Sequence, residues 1–129
     1  MALEKLIQTE MMKSIREMPW ECGKGWWPLI EKVAVAIDSF NAAQPETPVD
    51  VSQIKQKFGG LRIYHYNAPE DIRQLIDEVV AASWRTCEKC GSTTCVTTNL
   101  EGYRLTLCPD CRKEIKSRVI TKRKITITR

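Results

Sequence analysis

The apolar positions of the chain fall into three helical stripes and one alternating block. In residues 2–18, Leu3, Ile7, Met11 and Ile15 recur every fourth position, and Leu6 and Met18 widen the stripe. Glu4, Lys5, Lys13 and Arg16 lie off it, which predicts an amphipathic helix. Pro19 ends it, because a proline disfavours helical backbone in the residue before it. Trp20 to Pro28 reads as a loop carrying three tryptophans and two glycines. Pro28 suits the first turn of a second helix. That helix reaches about Ala43, with Ile30, Val33, Ile37 and Phe40 on its apolar side and Leu29 and Ala36 beside them. Pro45 and Pro48 mark the connection that follows. A third helix opens at Pro69-Glu-Asp71 and reaches about Trp84, burying Ile72, Leu75, Ile76, Val79, Val80 and Ser83.

Residues 51–66 alternate instead. Ile54 and Phe58 alternate with Lys55 and Lys57, and Leu61 and Ile63 with Arg62. Phe58-Gly-Gly-Leu61 supplies a two-glycine turn where positive φ is needed, so the block predicts a hairpin, with Phe58 and Leu61 as buried side chains. The alternative is a short helix from Ser52 capped by Gly59, followed by one strand. Further on, Tyr103 to Leu107 alternates like a strand, and Pro109-Asp110 begins a helix through about Arg118. Val119 to Arg129 is a basic edge strand or disordered. The fold class is α+β: helices around a small antiparallel hairpin, with a C-terminal treble-clef or zinc-ribbon module. Residues 1–84 form the body, 85–118 the four-cysteine module and 119–129 a basic tail.

The cysteines add the chemistry. Cys87 and Cys90, then Cys108 and Cys111, make two Cys-x2-Cys knuckles separated by seventeen residues. Each knuckle brings two thiolates to one metal, and two knuckles supply the tetrahedral four-thiolate set of a closed structural zinc site. No apolar run of signal or membrane length occurs, the longest being Val33 to Ile37. A soluble cytoplasmic chain is therefore expected, and cytosolic thiols stay reduced, which favours metal over disulfides. Cys95 is expected as a free thiol and Cys22 as a small buried residue.

The net charge of +4 conceals an asymmetry. Residues 112–129 hold eight Lys or Arg against one acid, while the preceding 111 residues hold 12 bases and 15 acids. Catalysis has little support. Four thiolates leave no open zinc position for water, and the single histidine, His65, stands in no deaminase or triad pattern.

Three blocks carry a resemblance. Gly23-Lys-Gly-Trp-Trp27, Gln53-Ile-Lys-Gln-Lys-Phe-Gly-Gly-Leu-Arg-Ile-Tyr64 and the cysteine module with Thr106-Leu-Cys108 resemble small, mostly uncharacterised zinc-binding proteins of bacteriophages and prophages. That family shows a Lys-Phe-Gly-x-Leu-Arg block and two C-terminal Cys-x-x-Cys pairs. The resemblance covers about residues 20–112 and implies a phage setting, in the cytoplasm of a bacterial host, with no known activity.

Two functions follow as expectations, both non-enzymatic and stabilised by one zinc ion. In the first, a basic region binds nucleic acid through Arg112, Lys113, Lys116, Arg118, Lys122, Arg123 and Lys124, with Tyr64, Tyr66 and Tyr103 as stacking surfaces. In the second, the chain is an inhibitor or adaptor binding a host enzyme or defence complex through Trp26 and Trp27, since interfaces favour tryptophan.

Overall fold

Residues 15–100 and 102–115 are described by the computed structural model of the chain. Their elements run β1 (Trp20–Glu21), a 3-10 turn (Lys24–Trp26), α1 (Trp27–Ala43), β2 (Asp50–Lys57) and β3 (Gly60–Tyr66). Next come α2 (Glu70–Ser83), β4 (Thr97–Thr98) and β5 (Thr106–Leu107). A last helix, α3, occupies residues 109–115. The chain is α+β, with the cysteine module following α2.

The two long helices form where the apolar spacing places them. Pro28 lies in the first turn of α1, which buries Ile30, Val33, Ala34 and Ile37. Ala34, not Ala36, sits at its centre, because only a small side chain lets the helix approach its neighbours closely. Asn41 accepts the Val49 N–H at 2.8 Å and donates its amide to the Val49 carbonyl at 3.2 Å. This exchange folds the Pro45–Pro48 connection back and seats Val49 in the core. α2 opens on Glu70 and Asp71, where the helix dipole favours negative charge. Its buried residues Ile72, Ile76, Val79 and Ser83 recur at helical spacing. Both helices and one sheet face share a single apolar cluster that includes Trp26, Val51, Ile54, Leu61 and Ile63.

The sheet departs from the sequence reading in three places. Trp20–Glu21, expected in a loop, pairs parallel with Ile54 and Lys55, giving the strand order β1-β2-β3. The β2–β3 register slips between Val51 and Gln53. This bulge turns both Val51 and Ile54 into the core although they stand an odd number of residues apart. The turn is also one residue earlier than expected. Gly60 already pairs with Lys57, so the two turn residues are Phe58, at φ 56°, and Gly59, at φ 91°. Positive φ at both positions is the type I′ hairpin turn, in which Asn, Asp or Gly is the usual first residue. Phe58 is 61% exposed, not buried as expected.

Of the helix expected over 2–18, residues 2–14 lie outside the described residues and 15–17 form a turn. Ile15 and Met18 enter the core, and Arg16 ties the turn to α1 by ion pairs of 2.7 Å to Glu31 and to Asp38. β5 is shorter than the strand expected over 103–107, and the tail beyond residue 115 lies outside the described residues. Among the described residues, no helix is long and apolar enough to cross a membrane.

A bulky residue held in the left-handed region costs about 1 kcal/mol or more, which Asn and Gly largely avoid. Phe58→Asn is therefore expected to stabilise the fold by about 0.5–1 kcal/mol after loss of the weak Lys57–Phe58 ring contact. Urea unfolding at constant m-value measures it.

Candidate metal centre

The first knuckle begins where α2 stops. Thr86 Oγ1 donates to the Ala82 carbonyl at 2.8 Å and closes the helix end. The chain then turns tightly: Gly91 N–H donates to the Cys87 carbonyl at 2.9 Å, with Gly91 at φ 84°. Cys87 N–H donates to the Ser92 carbonyl at 2.7 Å, and the Ser92 N–H points at the Cys90 sulfur at 3.4 Å. The second knuckle lies between β5 and α3, and Arg112 N–H to the Cys108 carbonyl at 3.0 Å opens that helix.

Together the knuckles bring the sulfurs of Cys87, Cys90, Cys108 and Cys111 within 4.8 Å of one another. Cys90 and Cys108 stand 3.7 Å apart. A disulfide needs about 2.05 Å, and a tetrahedral ion with bonds of about 2.3 Å to sulfur has sulfur–sulfur edges of about 3.8 Å. The cluster has the dimensions of a metal site and not of two disulfides. Cys87, Cys108 and Cys111 are buried and Cys90 is exposed, with Leu107 beside them and Val96, Leu105 and Ile115 packed around.

The electrostatics fit a cation. Burial pushes the Cys87 thiol up, but the backbone N–H groups of Cys108, Cys90 and Lys89 outweigh it and bring the thiol down to about 6. Burial, then the sulfurs of Cys108, Cys87 and Cys90, push Cys111 up. Ser92 N–H lowers Cys90, yet Cys87, burial and Cys108 leave it raised on balance. One thiolate is welcome in this cage and further ones repel it. A divalent ion removes that conflict by holding all four sulfurs deprotonated.

No family model, curated protein or solved structure matches the chain. Its chemistry is read from its own residues.

The Gly23-Lys-Gly-Trp segment is the dock for the first knuckle. Gly25 N–H donates to the Glu88 carbonyl at 2.7 Å, and Gly23 N–H to the Glu88 carboxylate at 2.9 Å. A Cβ on Gly25 would meet the Cys87 carbonyl at 2.1 Å, and one on Gly23 the Glu88 carbonyl at 2.3 Å. Both positions admit only glycine. Trp26, expected at a partner interface, is fully buried, with its indole N–H on the Thr86 carbonyl at 2.8 Å. It has no surface to offer a partner and belongs to the core. Trp27 is 39% exposed and meets the Trp20 ring edge-on at 5.7 Å.

A second seam joins the module to the hairpin. Thr106 Oγ1 donates to the Gly59 carbonyl and contacts the Thr98 hydroxyl. Gln56 donates its amide to the Arg104 carbonyl at 2.7 Å and, at 3.5 Å, to the carboxylate of Glu88, whose own N–H meets the Thr106 carbonyl within the module at 2.9 Å. Trp84 lies over Gly60, where a Cβ would come within 2.4 Å of its ring. The glycine-rich blocks are therefore contact surfaces between module and body. Glu88, inside the first knuckle, joins both seams and was not singled out by spacing, which marks ligands and not the residues between them.

The expected nucleic-acid residues divide. Arg112 directs its guanidinium at the Thr97 and Leu105 carbonyls, bracing the β4–β5 loop. Lys113 is exposed. Lys116, Arg118, Lys122, Arg123 and Lys124 lie outside the described residues. Cys95 is exposed and apart from the cluster, while burial and then the Glu88 carboxylate push the Cys22 thiol up to about 12.

With metal bound, iodoacetamide near pH 8 is expected to label Cys95 rapidly and to spare Cys22 and the four clustered thiols, because thiolate is the nucleophile. A strong chelator should open all four clustered thiols, as peptide mass spectrometry would record. Rapid labelling of Cys87 before chelation would count against bound metal. Gly25→Ala is expected to destabilise the fold by more than about 2 kcal/mol, and to speed metal loss to a chromogenic chelator.

Proposed function

We propose that the chain is a non-enzymatic, zinc-stabilised accessory protein of a bacteriophage or prophage that binds nucleic acid through its basic C-terminal region. The observation that carries this reading is the four-sulfur cluster at the head of α3. From that helix the chain continues into the segment where eight Lys or Arg face one acid. A clasp at that place fixes where the basic segment leaves the body. Lysines and arginines at this density neutralise phosphates and release counterions, giving salt-sensitive affinity.

Zinc is the ion this donor set favours, since four thiolates at tetrahedral spacing suit it in a closed structural site. A filled set of four leaves no open position for a reacting water, which supports binding over hydrolysis. The order knuckle, β-hairpin, knuckle, helix supports a treble-clef module. The Lys57-Phe-Gly-Gly-Leu-Arg62 block supports the phage setting, and a set of reduced thiols supports the bacterial cytoplasm.

A second reading, an inhibitor or adaptor for a host protein, is favoured by one feature. The half-exposed Trp27 borders an open groove of about 500 Å³ with Arg16, Met18, Pro19 and Trp20, the type of surface in which a tryptophan anchor works.

Elemental analysis is expected to find one zinc per chain, and cobalt substitution the visible spectrum of a tetrahedral four-thiolate site. In pull-downs from bacterial lysate, the full chain should retain nucleic acid that is lost at high salt and after nuclease treatment. A chain ending at Ile115 should retain much less. A protein kept after nuclease, with and without residues 116–129, would favour the second reading instead.

A further inference from the structure

The hairpin tip and the β4–β5 loop enclose a cleft that neither the metal nor the tail uses. Its volume is about 680 Å³, and it is lined by Gln56, Lys57, Phe58, Gly102, Tyr103 and Arg104. Phe58 is 61% and Tyr103 77% exposed, with the Lys57 ammonium 5.7 Å from the Phe58 ring. Among the described residues, the lining holds two cations and no acid. From the cleft, the outer face of the sheet continues with Arg62 and Lys55, which stand directly opposite each other, and then with the exposed Tyr64.

Two local penalties mark this surface. Phe58 occupies the left-handed region at φ 56°, where an aromatic residue is unfavourable and Asn or Gly would relieve the turn. Such strain at an exposed ring points to a role for the ring itself. Lys55 opposite Arg62 places like charges side by side, which weakens a strand pair. Glu21, aligned with Lys55 on its other side, is the acid nearest in register, and no ion pair joins Lys55, Lys57, Arg62 or Arg104 to a described residue. An incoming polyanion would relieve the second of these penalties, the pairing of Lys55 with Arg62.

The tip is held from behind. Thr106 fixes the Gly59 carbonyl, Trp84 packs on Gly60, and Gln56 ties the tip strand to the Arg104 carbonyl. The Phe58 ring therefore projects from a fixed base and loses little freedom on binding. Gln56, the lining side chain suited to reading base edges, already donates to that carbonyl and contacts Glu88. What remains is ring faces for stacking and cations for phosphates, the requirements of sequence-tolerant single-strand binding. A duplex hides its base faces and cannot use the rings.

We infer that the Phe58–Tyr103 cleft and the adjoining Lys55–Arg62 sheet face bind single-stranded nucleic acid, with bases stacked on the two rings and phosphates on Lys55, Lys57, Arg62 and Arg104. The inference rests on the nucleic-acid reading above and moves the discriminating contacts from the tail to the folded surface.

The test uses the full, metal-loaded chain and fluorescence anisotropy with a labelled oligothymidylate, a duplex of equal length and an oligouridylate. Phe58→Asn with Tyr103→Ala is expected to weaken oligothymidylate binding by at least about 30-fold, given the usual worth of base–aromatic stacking. Duplex affinity should change by less than about threefold, and the melting temperature should not fall, because Phe58→Asn relieves the turn. Substituting Lys122, Arg123 and Lys124 together by Gln should weaken single strand and duplex alike. Unchanged oligothymidylate binding in the folded double variant overturns the cleft while leaving nucleic-acid binding intact. The oligouridylate should lose affinity alongside the oligothymidylate, and oligouridylate binding left unchanged by the double variant overturns stacking on the rings. A wild-type chain that binds none of the three probes overturns both readings.

Discussion

The architecture depends on a close approach of two backbones, the turn at Gly23–Gly25 and the knuckle at Cys87–Gly91. Gly25 N–H reaches the Glu88 carbonyl at 2.7 Å because neither glycine carries a Cβ to hold the strands apart. Once they touch, the Trp26 indole finds the Thr86 carbonyl and the Gly23 N–H finds the Glu88 carboxylate. Each buried polar group is thereby paired; among the described residues, no buried side-chain nitrogen or oxygen lacks a partner. A contact made by backbone tolerates no side chain, which explains why the segment is glycine-rich and yet ordered.

This approach makes metal binding and folding one problem. The module has a small apolar cluster of its own, Cys87, Leu107, Cys108 and Cys111 with three partly buried neighbours. So few contacts seldom hold a fold in water without a staple. A bound ion would supply the missing free energy, and the seams at Glu88 and Thr106 would transmit it to the body. Such an ion would hold the knuckle against the glycine turn and the β4–β5 loop against the hairpin tip, and so govern the surface around it.

That surface shows where folding preference and local preference part. A hairpin optimised for stability alone would carry Asn or Gly where Phe58 stands, and an acid opposite Lys55 where Arg62 stands. Both departures lie on the outer side of the same sheet, beside the cleft shared with Tyr103 and Arg104. Four acids pair away from the tip, Glu31 and Asp38 with Arg16, Glu70 with Arg73, and Glu114 with Lys89, while Glu21 lies in register beside Lys55. Among the described residues, no ion pair joins Lys57, Arg62 or Arg104 to an acid, although the chain before residue 112 is acidic in sum.

Much of this was legible in residue order. Helix periodicity located α1 and α2 within a residue or so, since their stripes repeat a period that local geometry alone imposes. Paired Cys-x2-Cys spacing named the four clustered sulfurs, because a knuckle is a local structure. The turn was placed one residue late. Two glycines in a row permit either position, and the choice fell to Trp84 packing on Gly60 and Thr106 bonding Gly59. Trp26 and Trp27 are equivalent as letters, yet one is fully buried and the other 39% exposed. The bulge at Ser52 arises from strands about a dozen residues apart, and the role of Glu88 between two ligands and the cleft at Phe58 and Tyr103 from segments dozens of residues apart. Sequence by itself determined what repeats along the chain or closes within a turn. Tertiary structure decided which glycine, tryptophan or aromatic ring faces another segment, because only the folded chain brings those segments within contact distance.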